Sequence, residues 1–371
     1  MIVGIDARML GSGFGIGRYI EQLLHHLQKS NSPHEFVVFL RKENWDQIGE
    51  SGRVRKVLAD VPWYSAKEQW QLSHILTKER INLMHFPHWN VPLAYRGPFV
   101  VTIHDLIMYH YPRPEATTLG PVRFWIKDTV HRRVVAHAVR AASHILTTSE
   151  WTRRDIHTTF GAPMEKMTVT YQAPFVHQGG ALASREILGE RYGIHKPYAL
   201  YVGAAYPHKN LEGLLEAWKQ FQEKDDGARE LVLAGKENYF YTRLRPLIEQ
   251  TPTVVYTGFV PDDVLGALYR NAALYVFPSL YEGFGLPPLE AMSYGVPVVS
   301  SSGSCLPEVL GEAALYMDPK NPSDMAQKIH TGFSDEDVRA TLRMNAKEEL
   351  RRYSWERLAK ETVAVYEKAV N

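Results

Sequence analysis

Short runs of apolar and β-branched residues alternate with longer stretches of helical periodicity along almost the whole chain. In the first half these runs are IVGID, EFVVFL, VRKVLADV, INLMHFP, FVVTIHDL, SHILTTS and MTVTYQ; in the second they are YALYVGAA, ELVLAG, TVVYTGFV, ALYVFPS, VPVVSSS and ALYMDP. A strand that is apolar along its length has both faces covered, and strands separated by helices pair in parallel. Two such sets predict an α/β protein with two doubly wound domains. Between them lies the polar, glycine-bearing stretch QAPFVHQGGALASREILGERYGIHKPY, which places a linker near 175–196 and a division into domains 1–180 and 181–371. The closing segment YSWERLAKETVAVYEKAV has helical spacing and predicts a terminal helix over about 354–371. Whether it covers its own domain or returns to the N-terminal one is open at this level.

Bulk composition narrows the classes. The 371 residues carry 42 Lys+Arg against 41 Asp+Glu, a net charge of +1, so no global charge argues for nucleic acid. Cys305 is the single cysteine, which excludes an internal disulfide framework and a cysteine-built zinc site and suits a reducing compartment; the cytoplasm is the expected location. The chain opens directly on a strand-like run without a basic leader, and no stretch reaches the ~18 to 20 apolar residues of a membrane span. Any membrane contact is expected to be peripheral, at the inner face of the cell membrane. The sixteen histidines include no H-E-x-x-H or similar spacing, so no metal is implied.

In doubly wound sheets ligands bind beyond the carboxyl ends of the strands, which makes the loops after strands informative. ALYVFPS runs into LYEGFGLPPLEAMSYG. Pro287 and Pro288 suit a first helical turn, where a missing N–H costs nothing, and Gly295 ends the helix. Glu282 is thereby expected in the loop and Glu290 in the first turn. Between them Phe284, Gly285 and Leu286 offer backbone N–H groups at the positive end of a helix, an arrangement suited to an anion flanked by two hydroxyl-binding carboxylates. The plainer alternative has Glu290 stabilising the helix start and Glu282 solvated.

With this motif the chain resembles the retaining glycosyltransferases that carry a glutamate, seven residues, then a second glutamate in the C-terminal domain. The resemblance extends over GIDARMLGSGFGIGRYIEQLL, TIHDL, ILTTSEWTRRDI, YVGAAYPHKNLEGLLEAW, TGFVPDDVLGALYRNAALYVFPS and VPVVSSSGSCLPEVLGEAALYMDP, and is strongest to the mannosyltransferases of O-antigen and capsule assembly. It implies the GT-B fold, two Rossmann-like domains facing across a cleft. It also implies transfer of a hexose, with mannose from GDP-mannose preferred over a UDP-hexose, to a glycan or lipid-linked glycan. The donor is a co-substrate, and no cofactor or metal is expected. By resemblance Gly15, Ile16 and Gly17 approach the donor diphosphate and acceptor, and His104 lies near the reacting sugar carbon. Glu282 would hold sugar hydroxyls and Glu290 the ribose.

Lys209, in VGAAYPHKN, stands at the opening of a helix, where a cation opposes the macrodipole unless an anion is present; a diphosphate supplies one. The wider family often has arginine where Ala204 stands and another basic residue at His208, so the second cation on the diphosphate is in question. The glycine loop GSGFGIGRY has G-x-G-x-G-x-G spacing, which disfavours a nicotinamide-dependent oxidoreductase; its glycines also fit a tight turn with close helix packing, and Arg18 adds a cation. Asp105 either orients His104 or begins the following loop. Arg123, Lys127, Arg132, Arg133 and Arg140 recur on a helical pattern with Trp125, which suits anionic lipid headgroups, a lipid-diphosphate acceptor or plain solvation. Trp63, Tyr64 and Trp70 suit either sugar stacking or a core. Remaining rivals are a phosphorylase or epimerase of the same architecture and a non-catalytic sugar-binding subunit.

Overall fold

The computed structural model describes residues 1–12, 15–113, 120–176, 185–225 and 227–370. All the apolar runs form strands. The first sheet has seven strands, β1 (Ile2–Asp6), β2 (Glu35–Leu40), β3 (Val54–Leu58), β4 (Leu83–Phe86), β5 (Phe99–Ile103), β6 (His144–Thr147) and β7 (Met167–Val169), in the order β3-β2-β1-β4-β5-β6-β7. The second has six, β8 (Tyr198–Val202), β9 (Glu230–Ala234), β10 (Val254–Gly258), β11 (Leu274–Phe277), β12 (Val298–Ser301) and β13 (Ala314–Met317), in the order β10-β9-β8-β11-β12-β13. Pairing within both sheets is parallel. Strands β5, β6, β9, β11 and β12 are buried at every position, the expected consequence of helices on both faces.

In each sheet the chain winds outward from its first strand and then crosses back to the other side. The reversal falls between β1 and β4 in one sheet and between β8 and β11 in the other. Loops at such a switch point diverge and leave room for a ligand. Residues 203–210 and 278–285 are the loops at the second reversal, and they contain Lys209 and Glu282.

The chain forms two compact units, Met1–Gln172 with Ser354–Asn371, and Ala173–Tyr353. The division expected at 180 and 181 lies outside the described residues, and the stretch read as a linker contains the helix Arg185–Tyr192. In the first unit, helix Gly15–Lys29 buries Tyr19, Ile20, Leu23, Leu24 and Leu27 along one stripe. The terminal helix Trp355–Val370 packs against it through Leu358, Ala359, Thr362, Val365 and Tyr366. Beneath these helices runs a fully buried polar chain. The hydroxyl of Tyr366 lies 2.7 Å from His85 Nδ1, His85 Nε2 lies 2.8 Å from Thr102 Oγ1, and the Tyr19 hydroxyl lies 3.2 Å from the same oxygen. Burial pushes His85 down to about 3, so a neutral ring donates on one side and accepts on the other.

Candidate functional site

The loop after β8 tightens into a 3-10 turn, Pro207–Lys209, closed by Asn210 in the left-handed region at φ 58. The Asn210 amide donates to the carbonyls of Pro278 (3.3 Å) and Pro319 (2.6 Å), and the Leu280 N–H donates to the carbonyl of His208 (2.7 Å). These bonds join the loops after β8 and β11. They bring Lys209 Nζ to 2.6 Å from Glu282 Oε1, with the side chains 18% and 8% exposed. A pair that buried holds its geometry yet remains reachable by a ligand. His208, which stands where the resemblance would place another basic residue, is buried with its ring stacked against Tyr206.

A third loop, after β12, supports the glutamate. Ser301 Oγ donates to the Ser279 carbonyl (2.5 Å), the Glu282 N–H donates to Ser304 Oγ (2.9 Å), and the Cys305 thiol donates to the Phe284 carbonyl (3.3 Å). Burial raises the Cys305 thiol well above its ordinary value, which keeps it protonated and able to donate. Ser301, Ser304 and Cys305 were given no role by sequence; the only signal was a polar, glycine-bearing cluster directly after a buried strand.

Gly285 caps the helix Leu286–Ser293 at φ 98, and a Cβ there would sit 2.8 Å from Leu306 Cδ2, so conformation and space both require glycine. With prolines at 287 and 288, Leu286 alone among the first three helical residues has an N–H. The structure corrects the position of Glu290. The helix begins at Leu286, which puts Glu290 in the second turn, buried, where Tyr269 donates a hydrogen bond to its Oε2 at 2.9 Å. It is therefore a buried, oriented carboxylate beyond the helix start, and Glu282, solvated in the plainer alternative, is buried as well.

The other expected residues lie in the first unit. His104 follows β5, half-buried, with Nε2 donating to the Pro87 carbonyl (2.9 Å) and Nδ1 accepting from the Gln172 amide (3.1 Å). Burial lowers it to about 4, partly offset by the Pro87 bond, so the ring is neutral near pH 7. Its face meets Tyr19 edge-on at 4.7 Å. Asp105 Oδ1 accepts from the Ile107 N–H (2.8 Å), which starts the next turn. Gly15 and Ile16 open the helix Gly15–Lys29, with open space above Gly15. Gly17 is buried, and a Cβ there would lie 2.9 Å from the Met9 carbonyl, so its role is close packing. Tyr64 and Trp70 are exposed at 51% and 73%, which removes them from the core. Among the described residues no group of His, Cys, Asp and Glu is arranged to hold a metal, and no helix is long and apolar enough to cross a membrane.

Two doubly wound parallel sheets, the second with a lysine and a carboxylate in its switch-point loops beside a glycine-capped helix start, define a GT-B glycosyltransferase. The model of Glycosyl transferases group 1 matches residues 186–349, and that of Glycosyltransferase Family 4 matches 15–173. O-antigen chain mannosyltransferase B of Escherichia coli is 30% identical over 375 residues, 95% of each chain. Among solved structures, sucrose-phosphate synthase of Thermosynechococcus elongatus shares the fold at a TM-score of 0.76 and 18% identity, covering 99% of this chain and 98% of that one. Anabaena Alr3699/HepE in complex with UDP-glucose does so at 0.73 and 16%, covering all of both. The chain belongs to this glycosyltransferase family.

Proposed function

We propose that the protein transfers mannose from GDP-mannose, with retention of anomeric configuration, to a hydroxyl of a glycan or lipid-linked glycan during polysaccharide assembly. The observation that carries this is the Lys209–Glu282 pair at the switch point, one side chain suited to phosphate and the other to sugar hydroxyls, beside the start of helix Leu286–Ser293. The mannosyl preference rests on the Escherichia coli relative. A UDP-hexose donor is the second reading, favoured by the Anabaena complex.

As the bond from the sugar carbon to the diphosphate oxygen breaks, negative charge develops on the leaving group. Lys209 and the N–H groups of Phe284, Gly285 and Leu286 would stabilise it. The acceptor oxygen bonds to the same carbon on the same face, and its proton passes to the leaving phosphate, so no protein base is needed. Glu282 orients the sugar, and Glu290, itself held by Tyr269, takes the ribose. His104 would be a neutral polar contact for the transferred sugar once it releases Pro87 or Gln172, and Gly15 and Ile16, at the opening of helix Gly15–Lys29, would approach the donor and acceptor, with Gly17 packed closely behind them. The positive charge comes from the protein, so no metal is required. The expected site of action is the cytoplasm.

The test is a thermal-shift screen with GDP, UDP, ADP and their hexose conjugates on the native protein and on Glu290→Ala, followed by NMR of the product's anomeric centre. Selective stabilisation by GDP and GDP-mannose, weakened in the variant and followed by an α-linked product, is expected; a ligand that prefers the folded state raises its stability by mass action. Absence of any shift at millimolar nucleotide would overturn the reading.

A further inference from the structure

All but one of the contacts described for His104 come from groups that the fold holds still. Its carbonyl accepts from the buried Thr148 hydroxyl at 2.7 Å and more weakly from that of Thr152 at 3.4 Å. Its Nε2 faces the Pro87 carbonyl at 2.9 Å, a main-chain group directly after β4. Its ring meets that of Tyr19, which is buried and tied through its hydroxyl to Thr102 at 3.2 Å. The exception is the Gln172 amide, 3.1 Å from Nδ1. It sits on a rotatable side chain, in a stretch that is neither helix nor strand, at the last residue of the first unit. The protons on these contacts follow from valence. A carbonyl can only accept, so Nε2 carries the proton. Burial keeps the ring neutral near pH 7, which leaves Nδ1 as a bare lone pair. Gln172 must therefore turn its NH2 toward that nitrogen.

We propose that Gln172 is a positioning residue: it occupies the Nδ1 lone pair of His104 in the empty protein and turns away so that one hydroxyl of the transferred hexose donates to that nitrogen in its place. The inference rests on the reading of His104 as a contact of the transferred sugar, and it names the atom that makes the contact. Of the two ring nitrogens, Nδ1 is the one that can change partners. Opening Nε2 would leave its proton and the Pro87 carbonyl unpaired together, and that carbonyl cannot swing elsewhere. At Nδ1 one neutral donor replaces another, an exchange with little net free energy. A glutamine suits this task because its amide is uncharged. A carboxylate in its place would draw a proton onto Nδ1 and remove the lone pair that the hydroxyl needs. Thr148, Pro87 and Tyr19 meanwhile keep the ring aimed while its partner changes.

The experiment measures the affinities of GDP and of GDP-mannose, without acceptor, for the full native chain, Gln172→Met and Gln172→Glu, together with the proton–nitrogen NMR spectrum of the His104 ring. GDP lacks the hexose and reports the nucleotide site alone. Methionine conserves the volume of glutamine, so the fold should tolerate it. With the competing amide gone, Gln172→Met should bind GDP-mannose roughly fivefold more tightly, the worth of one neutral hydrogen bond, and GDP with unchanged affinity. Gln172→Glu should bind GDP-mannose roughly tenfold more weakly, with GDP again close to native. The native spectrum should show Nε2 protonated and Nδ1 bare, and in Gln172→Met the Nδ1 resonance should move on addition of GDP-mannose and stay in place with GDP. A glutamine that served only the fold would shift both affinities together. A proton on Nδ1 in the native chain, or an unchanged ratio of the two affinities in Gln172→Met, would overturn the inference and leave the donor reading intact. Failure of the native chain to bind either ligand would overturn the donor reading and the inference with it.

Discussion

Lys209 and Glu282 lie 73 positions apart in the chain and 2.6 Å apart in space. Removing one partner of a buried pair leaves the other charge desolvated and uncompensated, which costs more than the pair itself contributes. Lys209→Met and Glu282→Gln should each destabilise the fold by about 1–3 kcal/mol in urea unfolding. The double substitution should cost clearly less than their sum, because neither charge is then stranded. If Lys209 meets the leaving phosphate and Glu282 the sugar, transfer activity should fall more than about a hundredfold in all three proteins, since recovered stability does not restore those groups. Strict additivity in the stability cycle would contradict the pairing.

Gly285→Ala places a side chain at φ 98 and against Leu306. A loss of about 1–2 kcal/mol is expected from the backbone alone, with a further loss from the contact. In a Leu306→Ala background only the backbone part should remain. Equal losses in the two backgrounds, read by denaturant unfolding, would show that the contact is relieved elsewhere.

Tyr269→Phe deletes the hydroxyl that orients Glu290. If Glu290 holds the ribose, the donor KM should rise roughly threefold to tenfold while kcat stays within about a factor of two, the pattern of lost uniform binding. A fall in kcat with unchanged KM would move Glu290 from the nucleotide to the reacting sugar.

Burial holds His85 at about 3, below its ordinary value near 6.5. Between those values the unfolded chain binds a proton that the folded chain refuses, so this stabilisation is complete above about pH 6.5 and is lost as the pH falls toward 3. Near pH 5 the loss from this one group is about 2 kcal/mol. His104 and His144, both lowered to about 4, act in the same direction. His85→Gln should reduce the slope of stability against pH between about 4 and 6 by close to one proton. An unchanged slope would mean the ring is already protonated in the native state.

If Lys209 and main-chain N–H groups supply the charge at the diphosphate, removal of divalent cations with millimolar EDTA should leave the initial transfer rate unchanged. Recovery of lost activity by added magnesium or manganese would contradict this.

Most of the strands were legible because they are apolar along their length, a pattern that burial on both faces demands. Lys209 and Glu282 were each singled out in the sequence, yet each was matched to a separate ligand and not to the other. Their mutual bond depends on β8 lying beside β11, and strand order is not written in periodicity. Glu290 was expected in the first turn because Pro287 and Pro288 mark that turn, whereas the helix begins at Leu286, after the left-handed Gly285, and Glu290 falls one residue beyond its first turn. Ser304 and Cys305 were silent because they act on main-chain groups of another loop, and such contacts leave no spacing to read.

The first unit is completed by Ser354–Asn371, a segment the ribosome reaches only after the whole of Ala173–Tyr353 has been made. Until then His85 has no Tyr366, and the flank of helix Gly15–Lys29 that the terminal helix covers stays bare. The half that is synthesised first is therefore the half that finishes folding last, while the unit Ala173–Tyr353 is contiguous and can close as it emerges. A chain cut after Tyr353 would retain every residue of the Lys209–Glu282 site and still present an unfinished N-terminal unit to chaperones and proteases.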